Sequence, residues 1–341
     1  MKHVSRRQFI TRGLGFAAAA SAGVTTWGPG GRQARAAGQP VVLKLGHADT
    51  VLHPSQTVAT RFADLVKERT GGSIEVRIFP VGQLGSMANV MSGLTTGIVD
   101  LAMSTTGFLE SFFPRIEALD LPFLFKDAPS AERLLDGPIG QGLLNDMQTK
   151  GIYGLTWGHF GWRLTETNAH ALKGPADFKG LKIRVQPGAV FAAMFKAVGA
   201  VPVVIDLSEL YLALSQGTVN GYELPFLAVI SSKLVEVTKY IGLTNHVYNA
   251  GALMASKIRL DALAPKEQEV IRGTAKEIQP FWRKLIAEKS LENRKECEQR
   301  GLTIDETDYP AFQKAMQPVY AEFRSKIGPE FVDQVMKAAG A

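Results

Sequence analysis

The sequence predicts an α/β protein built on a largely parallel sheet, and three observations carry that expectation. Short apolar runs that alternate with polar residues are each followed by stretches with apolar residues three and four apart. The order strand, helix, strand, helix recurs in two separate parts of the chain, which is the pattern of an α/β domain. At 341 residues the chain is long enough for two domains at about 150 residues each, with a large core. No low-complexity linker divides them and no internal repeat stands out. Lobes joined by more than one chain crossing would have that appearance.

The net charge of +6 is concentrated at the start of the chain. Residues 1–36 hold Lys2, Arg6, Arg7, Arg12, Arg32 and Arg35 and no acidic side chain, and the remainder is neutral. A nucleic-acid binder would keep a basic surplus in its folded part, so that class is excluded. Ser5-Arg6-Arg7-Gln8-Phe9-Ile10 reads as a twin-arginine export motif, Leu14–Val24 as its apolar run, and Ala34-Arg35-Ala36 as a small-residue cleavage site. The expected mature chain begins at Ala37 and is periplasmic. The run of about 11 residues is short of the ~20 that span a bilayer, so an uncleaved anchor is the weaker reading. A single cysteine, Cys297, makes no internal disulfide and no C-x-x-C site, and its charged surroundings predict a surface or half-buried thiol.

In chain order, Leu43 and Leu45 mark a first strand. Pro54 and Ser55 then introduce a helix with Val58, Phe62, Leu65 and Val66 on one face, closed by Gly71-Gly72. Ile74, Val76 and Ile78 alternate in a second strand, Met87–Thr96 is a helix, and Val99–Met103 a third strand. Further on, Lys182–Gln186 reads as a strand, and Phe191, Met194, Phe195 and Val198 give the next helix its apolar face. Pro202–Ile205 is another strand, followed by a helix that opens on Asp206 with Glu209 in capping-box spacing. Lys266–Arg300 is helical and highly charged, with Pro280 expected to kink or restart it. It lacks the sustained heptads of a coiled-coil partner.

Arg184 sits near the end of a buried strand, where a permanently charged planar fork is matched to a carboxylate. A structural ion pair is the alternative, and spacing alone does not separate the two. The wider stretch goes further. G-L-K-I-R-V and P-V-V-I-D-L-S-E-L-Y-L-A-L-S-Q-G-T-V-N-G-Y-E-L-P, together with L-G-H-A…H-P, T-G-G-S-I-E-V-R-I-F-P-V-G-Q-L-G and L-D-L-P-F-L-F-K-D, resemble the solute-binding subunits of tripartite ATP-independent periplasmic (TRAP) transporters. The resemblance runs across nearly all of the mature chain. It implies a two-lobed, type II-like periplasmic-binding-protein fold, with strands crossing near residues 155–165 and 240–255 and a long C-terminal helical region. Lobe I would comprise residues 37–161 and 250–288, and lobe II residues 162–249 and 289–341. It also implies capture of an organic acid anion without chemistry, by a monomer that delivers it to small and large membrane subunits.

By this resemblance Arg184 clamps the substrate carboxylate and Arg163, 21 residues earlier, supports the same anion. Where many members carry Glu-Asn-Pro, this chain has Glu223-Leu224-Pro225. Leucine cannot hydrogen-bond a ligand, which points to a monocarboxylate with an apolar or aromatic part, such as a keto, hydroxy or aromatic acid. Glu223 holds either a polar group or a structural bond. Leu207 matches a cleft-facing apolar position, and Trp162 and Phe226 are candidate walls whose alternative is the core. His47, Asp49, Thr105 and Thr106 follow strands of the opposite lobe, where open α/β sheets bind ligands. His47 and His53 have no recognised metal spacing, and no cofactor is expected, although a cation bridging the carboxylate remains open. Two other classes are a serine hydrolase using Ser215 in Ala213-Leu214-Ser215-Gln216-Gly217, a near miss of G-x-S-x-G that follows a helix already begun, and a receptor for an ABC-type importer.

Overall fold

Nine strands join in one mixed sheet in the computed structural model, which describes residues 39–340. The expected export segment, residues 1–36, lies outside the described residues. The strands are β1 Val41–Gly46, β2 Ile74–Phe79, β3 Leu101–Thr105, β4 Ile152–Thr167, β5 Lys182–Val185, β6 Val201–Val204, β7 Gly221–Tyr222, β8 Tyr240–Ser256 and β9 Thr303–Asp305. Their order is β2-β1-β3-β8-β4-β7-β5-β6, with β9 beside β8. The α/β expectation holds, with most boundaries displaced by a residue or two: the strand expected at Val99–Met103 begins at Leu101.

The sheet contains a repeat that the sequence does not display. β1 lies between β2 and β3, both parallel to it, and β3 meets β8 antiparallel. β5 lies between β6 and β7, again parallel, and β7 meets β4 antiparallel. Two strand–helix–strand–helix–strand units of the same order thus flank the long central pair β4 and β8, which are themselves antiparallel. That pair carries register shifts at Gly154/Thr156, His159/Trp162 and Arg163/Thr165. Such irregularities re-aim side chains in a strand, and two of them bracket Arg163.

The helix Pro54–Arg69 buries Val58, Phe62 and Val66 and leaves Leu65 half-buried. Gly71 and Gly72 follow at φ 58° and 79°, a left-handed exit that glycine takes without steric penalty. Asp206 is the N-cap of the helix Leu207–Ser215, but no side chain caps that end: the Glu209 amide donates to the Asp206 carbonyl. The expected capping box is therefore absent. Pro280 neither breaks nor restarts its helix, which runs unbroken over Pro265–Gln299. Burial of Ile278, Trp282 and Ile286 against β4 and the helix Pro54–Arg69 outweighs the lost backbone bond. Cys297 is also a correction. It is buried among Tyr222, Leu234 and Ile241, and burial pushes its thiol up to about 12.

The packing of Pro265–Gln299 on β4 requires a glycine. A Cβ at Gly158 would meet the Trp282 ring at 2.2 Å, whereas one at Gly142, in the helix Pro138–Asp146, meets nothing within 4 Å. Gly158→Ala should therefore destabilise by about 1–3 kcal/mol through overpacking. Gly142→Ala should be neutral or stabilising by up to ~1 kcal/mol. Thermal melts followed by circular dichroism should fall for Gly158→Ala and hold or rise for Gly142→Ala. A fall of equal size in both would refute the packing argument.

Candidate functional site

The carboxyl ends of the two repeated units converge on one internal cavity of about 50 Å³. Asp49 comes from the loop after β1, Ser104 and Thr105 from the end of β3, Arg184 and Gln186 from the end of β5, and Leu224 and Pro225 from the turn after β7. Crevices outside the carboxyl ends of strands, where neighbours lie to either side, are the ligand positions of open α/β sheets. A larger groove of about 720 Å³ beside Tyr309 and Tyr320 holds no buried charged side chain. The small cavity has two: Arg163 and Arg184 line it and are each 1% exposed.

Arg163 projects from β4 and is held by Glu223. Its Nε donates to Glu223 Oε2, and its Nη2 donates to Glu223 Oε1 at 2.7 Å and to the Glu223 carbonyl at 2.7 Å. The Phe191 ring lies 5.1 Å from its guanidinium carbon. Burial works to raise the Glu223 carboxyl, but the Arg163 guanidinium and the His246 ring outweigh it and leave it below its ordinary value. Glu166, also on β4, accepts from the Leu224 amide at 3.1 Å, and the Leu164 amide donates to the Leu224 carbonyl at 3.2 Å. Gly161 at φ 104° lets Pro225 approach, since a Cβ there would sit 2.9 Å from the proline Cβ. The segment 223–225 is thereby fixed as a wall of the cavity.

Arg184 is differently placed. Its Nε donates to the Ile205 carbonyl at 2.8 Å, and its terminal nitrogens have no hydrogen-bond partner among the described residues. Burial, which the Glu223 carboxylate offsets only in part, pushes it down to about 10, so it stays cationic at neutral pH. Gln186 accepts at Oε1 from the Thr105 hydroxyl at 3.0 Å. Asp49 accepts from Ser55 Oγ at 2.8 Å, with His53 Nδ1 at 3.7 Å. Apolar surface comes from Met87, Met103, Phe108, Leu207 and Leu224.

Of the residues singled out from the sequence, Arg184, Arg163, Leu224, Leu207, Thr105 and Asp49 line the cavity. Glu223 stands behind Arg163 as its counter-ion. Thr106, His47, Trp162 and Phe226 are not on the wall, each for a local reason. The Thr106 hydroxyl donates to Asp120 at 2.6 Å. His47 Nε2 meets Gln56 Oε1 at 3.0 Å. Trp162 packs edge-on to Tyr248, and Phe226 lies in the cluster with Leu210 and Leu214. His53, weighed only as a metal ligand, does line the cavity, as do Gln186 and Asn249. Gln186 was within sight, two residues beyond Arg184 and so on the same face of the strand. Asn249 carried no signal. Among the described residues no group of three or more His, Cys, Asp or Glu side chains is placed to hold a metal. Ser215 is the last residue of its helix, exposed, with its hydroxyl donating to the Tyr211 carbonyl at 2.8 Å. That is not a nucleophile elbow.

Residues 45–326 match the family described as bacterial extracellular solute-binding protein, family 7 (DctP). A solute-binding protein of Verminephrobacter eiseniae is 34% identical over 278 residues, covering 81% of this chain and 83% of that one. Among solved structures, the sugar acid binding protein of Advenella mimigardefordensis in complex with galactonate is 30% identical, with a TM-score of 0.86, covering 89% of this chain and 98% of the other. A TRAP periplasmic solute binding protein of a Polaromonas species bound to D-erythronate is 31% identical, with a TM-score of 0.84 and 86% and 98% covered.

Glu223 is the only carboxylate hydrogen-bonded to Arg163 among the described residues. Removing one member of such a buried pair leaves an uncompensated charge, at about 3–5 kcal/mol. Glu223→Gln and Arg163→Met should each lower stability by that order. The double variant should be far less destabilised than the sum, because neither charge is then stranded. Urea unfolding of all four proteins measures this coupling, and additive losses would show that the pair is not the tie described.

Proposed function

The chain belongs to family 7 of the bacterial extracellular solute-binding proteins, the periplasmic receptors of TRAP transporters, and on that premise we propose that it captures a small organic monocarboxylate on Arg184. The family consists of binding proteins for organic acids, not enzymes. The observation that carries the finer reading is the asymmetry between the two arginines. Arg163 has its charge answered by Glu223, whereas the terminal nitrogens of Arg184 face the cavity without a partner. One unanswered guanidinium calls for one carboxylate. Asp49, which lines the same cavity from the loop after β1, disfavours a second.

The rest of the lining supports an apolar portion. Met87, Met103, Phe108 and Leu224 line the cavity together with Arg184, and Leu224 stands where the family resemblance places an asparagine in many members. The cavity, at about 50 Å³, is smaller than the ~150 Å³ space that accepts benzene in a protein core. A short acid suits it better than an extended sugar acid. Because both arginines are nearly inaccessible to solvent, an anion reaches them only when the walls part. We infer that residues 37–161 with 250–288 open from residues 162–249 with 289–341 by bending at β4 and β8, and that the closed form is what the small and large membrane subunits recognise. Export through the twin-arginine motif completes this reading.

Thermal-shift and calorimetric titration with a panel of monocarboxylates, dicarboxylates and sugar acids tests it. A short monocarboxylate should bind best, and Arg184→Ala should weaken it by roughly 10- to 150-fold, the equivalent of the ~1.5–3 kcal/mol of a charge-assisted hydrogen bond. Arg184→Lys should recover only part, since a point charge lacks the planar fork. X-ray scattering should show a more compact particle with the bound acid. Equal binding by wild type and Arg184→Ala would remove Arg184 from the site, and preference for a dicarboxylate would overturn the monocarboxylate reading.

A further inference from the structure

We propose that Gln186 and Asn249 recognise a hydroxyl group on the bound acid, so that the receptor prefers a hydroxy monocarboxylate over its oxo and unsubstituted counterparts. The inference rests on Arg184 as the carboxylate clamp and adds what the remainder of the ligand must offer. It starts from two buried polar atoms without partners. Gln186 and Asn249 are each 2% exposed and both line the cavity with Arg184. Gln186 Nε2 and Asn249 Oδ1 are enclosed and make no hydrogen bond.

The Gln186 amide is not free to turn away. Its carbonyl accepts from Thr105 Oγ1 at 3.0 Å, which leaves the NH₂ as the group to be satisfied. Its other side is held by Gly107, where a Cβ would meet Nε2 at 2.3 Å and Cδ at 2.5 Å. The donor is therefore clamped between a hydroxyl from β3 and the backbone of residue 107. Asn249 comes from β8, within the stretch where the β4 register shifts between His159 and Trp162. Its carbonyl is an acceptor with no donor. A buried amide group left unpaired costs about 1–3 kcal/mol, and native proteins rarely keep one without a function.

An unpaired donor and an unpaired acceptor on one small cavity are complementary to a group that both accepts and donates. A hydroxyl does both: its oxygen accepts from Gln186 Nε2 and its proton goes to Asn249 Oδ1. A keto oxygen answers the glutamine and presents lone pairs to the asparagine carbonyl. A methylene answers neither. Sites built to hydrogen-bond a substrate hydroxyl reject analogues that lack it far more strongly than apolar pockets reject an extra methyl group. Gln186 and Asn249 would thus choose among acids that Arg184 accepts alike.

The test is calorimetric titration of the full mature chain with matched sets of C3 and C4 monocarboxylates. Each set holds a 2- or 3-hydroxy acid, its oxo analogue and the unsubstituted acid. For one set at least, the hydroxy acid should bind wild type about 10-fold or more tighter than both partners. Gln186→Leu and Asn249→Ala should bring the members within about threefold, with melts confirming that both fold. Gly107→Ala, which displaces the Gln186 amide without removing it, should erode the same preference. Unsubstituted acids binding as tightly as their hydroxy partners would overturn this inference and leave the Arg184 clamp standing. So would a preference unchanged in Gln186→Leu and Asn249→Ala. Failure of every carboxylate to bind wild type would overturn both.

Discussion

A guanidinium cannot shed its charge in a protein, and this chain buries two of them against one cavity. That constraint organises the site. Glu223 answers Arg163 with both carboxylate oxygens and its backbone carbonyl, and the pair ties β4 to the turn after β7. Arg184 receives one backbone carbonyl and otherwise stands in the weak, shared field of Glu223 and Asp206. A closed form without an anion therefore carries a charge that burial disfavours. In the proposed mechanism an incoming carboxylate removes that penalty, which would give ligand capture and lobe closure a common electrostatic origin.

The positions of these groups follow from the doubled topology. Each half places its first strand between the other two, so each has a crevice at the carboxyl end of that strand. The β4–β8 pair holds the two crevices against each other, and its register shifts turn Arg163 and Asn249 to the same cavity. Close approach is possible because glycine stands at the contact points. Gly161 admits Pro225, Gly107 admits the Gln186 amide, and Gly158 admits the Trp282 ring of the long C-terminal helix. These contacts narrow the cavity.

Polar side chains near the site divide into those that stand behind its walls and those that line the cavity with a group left open. Thr106 is bonded to Asp120, His47 to Gln56, and Glu166 to the Leu224 amide. They brace the walls. Arg184, Gln186 and Asn249 line the cavity and retain groups without partners. Residue type did not separate the two sets, since threonines and a histidine at strand ends stood out in the sequence whereas an asparagine within a strand did not.

By itself the sequence determined the α/β class, five of the strands and five of the helices, the arginine at the end of β5 and the neutral charge of the chain beyond residue 36. These depend on local periodicity, strand-end position and composition, which a linear reading captures. Family resemblance supplied the two lobes and their crossing strands. Tertiary structure alone decided that Glu223 neutralises Arg163 across 60 residues, that Trp162 and Phe226 pack into apolar clusters off the cavity wall, and that Cys297 is enclosed. It also kept the helix through Pro280 intact, because side chains far away in the chain supply the packing energy. Asn249 and the clamp on Gln186 likewise emerged only in three dimensions. A hydrogen bond left unmade is a property of what surrounds a group, and no single residue in the sequence carries that information.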